Sequence, residues 1–158
     1  MQLSVSPGSF PSLAAGELSQ WRAAITRGNR AFGDGDYAGA LHCYHQAREA
    51  AAELFGRIGD ADTGIAALVI AHHNLADAHE RRNEPDAQGA QLCAAHEALC
   101  QAMDDPGLND AWRLAAWRHS RRTYAELTRF AGLHPGAGRV RAALARGAAG
   151  PAGGGRPH

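Results

Sequence analysis

The sequence contains no lysine, and all 16 of its basic residues are arginine. It also holds 19 glycines and much alanine, so the bias reflects genome composition, and the choice of arginine over lysine carries no mechanistic weight. Aromatic residues are scarce, at 6%, although 45% of the chain is hydrophobic, and alanine makes up the difference. Because alanine is the strongest helix former and lets helices approach closely, this composition predicts an all-α fold.

Long apolar runs and targeting signals are also absent. The longest apolar run, 65–71, is far too short to span a bilayer. The opening residues MQLSVSPGSFPSL have neither the basic nor the apolar region of a signal peptide. Cys43, Cys93 and Cys100 have no CxxC spacing, and we interpret them as small apolar filler in helices. We therefore expect a cytoplasmic protein without membrane association.

Catalytic signatures are missing as well. There is no GxSxG sequence, and the glycine-rich segment 147–155 lacks the lysine and the following helix of a phosphate-binding loop. Cys93 and His96 are three residues apart, but no oxyanion donor can be named for them. These absences favour a protein that carries out no chemical step and needs no cofactor.

Charge is distributed unevenly, although the net charge is zero. Residues 1–110 hold 15 acidic residues and 7 arginines, whereas residues 111–158 hold 9 arginines and one acid, Glu126. This polarity suggests an acidic partner for the last third of the chain, pairing within the molecule, or head-to-tail pairing in a homo-oligomer. A solvated arginine face would give the same pattern. Trp117 and Tyr124 flank these arginines, but a sequence pI near 7.1 makes nucleic acid an unlikely partner.

Apolar periodicity divides the chain into five predicted helices. They are expected at residues 17–33, 37–58, 63–82, 85–103 and 109–131, with one or two further turns at 140–146. Glycine, aspartate and proline between them predict turns. We expect a flexible lead-in over residues 1–16, one helical domain over 17–146, and a disordered Gly/Pro-rich tail over 147–158.

The first two predicted helices resemble the tetratricopeptide (TPR) repeat. Gly28, Ala40, Tyr44 and Ala47 match its glycine, alanine, aromatic and alanine positions in type and spacing. The segment NLA at 74–76, followed by Asn83, Pro85 and Ala95, is similar to a second unit. The resemblance implies a right-handed superhelical stack of antiparallel helix hairpins, in which the last predicted helix is a third repeat or a cap.

The same resemblance implies the function of a non-catalytic adaptor or scaffold whose concave groove binds a protein or peptide. A small secretion-type chaperone is an alternative, since that family has a similar length and also contains TPRs. The groove would be lined by the first, third and fifth predicted helices. Its candidate residues are Asn29, Phe32, His73, Asn74, Asp77, Arg118 and Arg121.

Some TPR domains clamp the terminal carboxylate of a peptide, and Asn29 and Asn74 match the two asparagines of that clamp. Arg118 and Arg121 could supply its positive charge. Ile25, however, stands where the first clamp lysine would be. Each asparagine could instead bond to the local backbone.

Nine histidines in a short chain raise the alternative of a metal-binding protein or metal-dependent enzyme. The four candidate ligands lie near the apolar sides of three predicted helices; they are His72, His79, His96 and His119. No HExxH or zinc-finger spacing accompanies them. Histidines packed in the core or at its rim and bonded to the backbone are the other interpretation.

Overall fold

The computed structural model describes residues 18–148, and this part of the chain is all-α, with no β-strand. In chain order the helices are α1 (Ser19–Gly33), α2 (Tyr37–Leu54), α3 (Ala61–Arg81), α4 (Pro85–Asp104), α5 (Asp110–Leu133) and α6 (Gly138–Ala148). The predicted all-α class is therefore confirmed. The predicted lead-in, 1–16, lies outside the described residues.

Local chemistry fixes where several helices begin. The Asp36 carboxylate accepts a hydrogen bond from the backbone N–H of Gly39 at 2.9 Å, which caps α2. The Asn109 side chain caps α5 by accepting from the backbone N–H of Trp112 at 3.1 Å. Pro85 opens α4, where its missing N–H would have had no helical partner.

Each helix packs against the next one in sequence, so the described chain is a series of adjacent helices. Helices that are separated by one other helix in sequence also touch: α3 contacts both α1 and α5. The short α6 lies against α4 and α5. One buried apolar cluster joins α1, α2 and α3 to the end of α4 and the start of α5, and a second lies between α4, α5 and α6.

Three helical glycines receive aromatic rings from other helices. A Cβ on Gly28 would come within 2.4 Å of the Tyr44 ring, and one on Gly64 within 2.3 Å of Trp112. Both distances are too short for a carbon contact, so only glycine lets these rings reach the backbone. Gly89 is similar, since its Cβ would lie 2.9 Å from Phe130. Gly28, whose position matches the TPR glycine in sequence, thus makes a close contact with α2.

Two predicted helix boundaries were wrong. The second helix ends at Leu54, before the predicted residue Ile58, because Phe55 is extended and Gly56 has a φ of 81°. Ile58 is nevertheless buried in the core. The predicted one or two turns at 140–146 are a full helix, α6, which extends two residues into the predicted disordered tail. Its Val140 and Ala143 are buried, and this burial explains why the segment is ordered.

Candidate peptide-binding surface

The seven predicted groove residues lie on three helices that are neighbours in space. Asn29 and Phe32 are on α1, the three residues His73, Asn74 and Asp77 are on α3, and the two arginines are on α5. Because α3 packs against α1 and α5, the helices that carry these residues are brought together.

The two clamp asparagines are engaged in the fold. The Tyr44 hydroxyl donates to Oδ1 of Asn29 at 2.7 Å, and this contact ties α1 to α2. Asn74 is fully buried, with 0% of its side chain exposed. The bond from Tyr44 occupies the Asn29 oxygen and not the amide N–H2 group that a carboxylate would need, so it is the burial of Asn74 that keeps the pair from meeting a terminal carboxylate at the surface. The arrangement gives no support to a carboxylate clamp.

His73 and Asp77 lie one turn apart on α3, and both are biased toward their neutral forms. Burial lowers the pKa of His73 to about 4, and the positive charges of Arg122 and His72 act in the same direction. Burial also raises the pKa of Asp77 to about 6. Near neutral pH this part of α3 therefore carries an uncharged imidazole beside a carboxylate that is readily protonated.

Phe32 is half-buried at the end of α1, and two side chains hold its ring. The Arg81 guanidinium lies 5.4 Å from the ring centroid, and the Tyr37 ring meets it edge-on at 5.1 Å. The contact with Arg81 joins the C-terminal ends of α1 and α3. Phe32 thus offers one apolar edge beside a positive charge.

Arg118 faces the start of α3. Its guanidinium lies 3.5 Å from Oδ1 of Asp62, and Nε2 of His119 lies 2.9 Å from the same oxygen. Asp62 therefore links α5 to the first turn of α3, where a negative charge also favours the helix dipole. Because these side chains are largely exposed, the ion pair adds little stability, and Arg118 stays accessible.

Arg121 has a different environment, since it lies over an aromatic ring. Its guanidinium carbon is 4.6 Å from the centroid of Trp117. Trp117 is 42% exposed and Tyr124 is 37% exposed. Leu114, 51% exposed, lies on the same side of α5 and was not singled out from the sequence. Leu114, Trp117, Arg121 and Tyr124 are spaced by three, four and three residues, and this helical spacing was the signal that could have identified them from the sequence.

The four candidate metal-binding histidines do not converge. His72 bonds to Gln91, His79 to Glu84 and His119 to Asp62, with distances between 2.8 and 3.1 Å. Within residues 18–148, no three histidine, cysteine or acidic side chains lie close enough together to hold a metal ion. The structure thus gives each of these three histidines its own polar partner.

His96 is the fourth of these histidines, and it is buried between α4 and α5. The Thr123 hydroxyl donates to the carbonyl of Ser120 at 3.0 Å, so it accepts from Nδ1–H of His96 at 2.7 Å. The other ring nitrogen then accepts from Cys100, whose sulfur is 3.5 Å away. Burial lowers the pKa of His96 and raises that of Cys100, so both groups stay neutral.

A separate cleft of about 550 Å³ lies between α4, α5 and the start of α6. Phe130 and Val140 form its apolar part, and Asp86 and Arg139 bring opposite charges to it. The Nε of Arg139 lies 3.5 Å from Glu97, which holds α6 against α4. No residue of this cleft was predicted as functional.

No helix in the described part of the chain combines the length and apolar character needed to cross a membrane. A family model described as "Protein of unknown function (DUF2753)" matches residues 19–150. Neither the search of curated proteins nor the search of solved structures found a match.

Proposed function

Since the chain belongs to DUF2753, a family of unknown function, we propose a function from its own geometry: it is a non-catalytic adaptor or scaffold that binds another protein or peptide. In this proposal the helices form three antiparallel hairpins, α1–α2, α3–α4 and α5–α6. The hairpins stack in a right-handed, TPR-like superhelix, in which α1, α3 and α5 present the binding face.

The observation that carries this proposal is the packing of α3 against α5, together with a lighter contact between α3 and α1 that includes the hydrogen bond from the Trp21 indole N–H to the carbonyl of Ala67 at 3.0 Å. Stacked hairpins require such contacts between alternate helices, whereas a simple up-and-down bundle would close its helices around one core. The tight fit of Tyr44 against Gly28 supports the same arrangement, since both occupy TPR signature positions.

The exposed chemistry of these helices suits a polypeptide ligand. The Arg81–Phe32 pair and the accessible Arg118 combine positive charge with apolar surface. Guanidinium groups bind carboxylates through paired hydrogen bonds, so an acidic peptide is the expected partner. Partly buried Asp77 adds a group whose charge changes near pH 6, which would make binding sensitive to mild acid.

The proposal is tested by selecting peptides from a displayed random library on the immobilised full chain. Enriched peptides are then synthesised, and their affinities are measured by fluorescence anisotropy. We expect Arg118→Glu to weaken binding about tenfold, because it reverses a charge on the binding face. Arg57→Glu, at an exposed arginine in the turn after α2, is the matched control and should leave affinity unchanged. The proposal fails if the folded chain enriches no peptide over an unrelated immobilised protein.

A further inference from the structure

The side of α5 that faces away from the core carries an exposed stripe of large side chains. We call Leu114, Trp117, Arg121 and Tyr124 the outer stripe. Their spacing places them on one face over about three turns, a length of about 15 Å. Three of the four large hydrophobic side chains exposed in the described residues belong to it.

Apart from the Tyr124 ring, which lies 5.9 Å from the buried His96 ring of α4, the outer stripe contributes little to holding α5 in place. The helix is anchored by its opposite face, where Trp112, Thr123 and Leu127 are buried. An exposed tryptophan with two exposed apolar neighbours is unusual on a surface with no binding role. Tryptophan, tyrosine and arginine are also the residues that most often dominate binding energy at interfaces.

Positive charge surrounds the outer stripe. Arg121 stacks on Trp117 within it, and Arg118 and Arg122 follow it along the helix. After the first residue of α5, Asp110, the helix holds a single acid, Glu126. A partner that covers the stripe is therefore expected to bring negative charge, because burying Arg121 on Trp117 without a carboxylate beside it would be costly, whereas Arg118 already contacts Asp62.

A second copy of this chain would not supply that negative charge by stacking its own α5 or α1 on the outer stripe. Two outer stripes facing each other about a two-fold axis would place arginine against arginine. Stacking α5 on the α1 of another copy has the same defect, because α1 contains three arginines and no acid. Self-association by stacking is therefore disfavoured.

We propose that the outer stripe binds an acidic amphipathic helix of another protein, laid along α5. Its aliphatic side chains pack on Leu114, Trp117 and Tyr124, and its carboxylates pair with Arg118 and Arg121. This inference rests on the proposed function and extends it by naming the partner chemistry and the surface used.

The test uses the full chain and the peptides selected on it. We expect enriched peptides to combine aspartate or glutamate with aliphatic residues at helical spacing, and to become helical on binding. Trp117→Ala and Arg121→Glu should each weaken binding about tenfold or more, and high salt should weaken it further. Leu133→Ala removes an even more exposed apolar side chain from α5 outside the stripe, and Arg57→Glu makes the same charge change elsewhere. Neither variant should affect binding. Circular dichroism checks that every variant is folded.

Several outcomes would overturn the inference while leaving the proposed function intact. One is a set of peptides whose affinity responds to Arg118→Glu but to neither outer-stripe variant. Another is a set of acidic peptides that do not become helical on binding. Self-association in sedimentation that Trp117→Ala abolishes would assign the stripe to a second copy. A Trp117-dependent affinity for a single-stranded oligonucleotide above that for the peptides would assign it to nucleic acid.

Discussion

Replacing Gly64 by alanine tests the packing that holds α3 against α5. The new Cβ would lie 2.3 Å from Cη2 of Trp112 and 2.9 Å from Cγ2 of Ile58. Ordinary carbon contacts are about 3.5–4.0 Å, so the Trp112 ring would have to move by more than 1 Å. Trp112 is 3% exposed and touches the Phe55 ring, with centroids 5.1 Å apart, which leaves it little room.

The expected change in the free energy of unfolding is the difference between two opposing effects. Overpacking a filled core costs about 1–3 kcal/mol. Alanine in place of glycine inside a helix stabilises the folded state by about 0.5–1 kcal/mol. Because the contact is short and made to a rigid ring, we expect the upper end of the cost and a net destabilisation of about 2 kcal/mol.

Urea unfolding followed by circular dichroism measures this change directly. The matched control is Gly132→Ala in α5, where a Cβ meets no atom within 4 Å and φ is not positive. That variant should be more stable by about 0.5 kcal/mol. Adding Trp112→Phe to Gly64→Ala should recover part of the loss, because the smaller ring leaves space for the methyl group. A Gly64→Ala protein as stable as the parent would refute this account of the contact.

Two further predictions concern polar groups. The pKa of His73 is lowered to about 4 in the folded chain from an ordinary 6.5, so the unfolded chain binds this proton first as the pH falls. Up to about 3 kcal/mol of stability should therefore be lost between pH 6.5 and 4. The raised pKa of Asp77 opposes this loss between about pH 6 and 4, because the folded chain binds that proton first. As the pH falls, the urea midpoint should therefore drop more steeply in Asp77→Asn than in the parent protein, and less steeply in His73→Gln. The same dependence of the midpoint on pH in all three proteins would contradict both assignments. Tyr44→Phe should cost about 1 kcal/mol in urea unfolding by removing the bond to Asn29, and an unchanged midpoint would show that this bond adds nothing net.

Local signals in the sequence predicted much of this fold because they act over short distances. Glycine and aspartate mark the turn between α1 and α2, and the Gly35 φ of 79° explains why glycine is needed there. The Gly28–Tyr44 contact was predictable because the two helices are joined by a short turn. The Gly64–Trp112 contact was not, since it depends on how α5 crosses α3. The end of α2 was misplaced because Ile58 continues the apolar stripe beyond the residue where the helix stops.

The candidate site was harder to predict, because residue type does not reveal exposure. Asn74 matches a ligand-binding position in sequence, yet it is fully buried. His119 belongs to an apolar-looking pattern, yet it bonds to Asp62 at the start of another helix. Leu114 looked like any apolar residue of an amphipathic helix. Only the placement of α5 decides which of its sides meets the core.

The charge asymmetry of the chain is partly neutralised within the fold. Asp62 pairs with Arg118 and His119, and Glu97 lies 3.5 and 3.6 Å from Arg139 and Arg146 of α6. These contacts use acids of the first two-thirds to bind arginines of the last third, as pairing within the molecule requires. The arginine on the outer stripe has instead an aromatic neighbour, Trp117, and stacking on a ring face does not use the guanidinium N–H donors that bind carboxylates. The fold thus pairs charges that join its helices and leaves Arg121 stacked on its most exposed tryptophan.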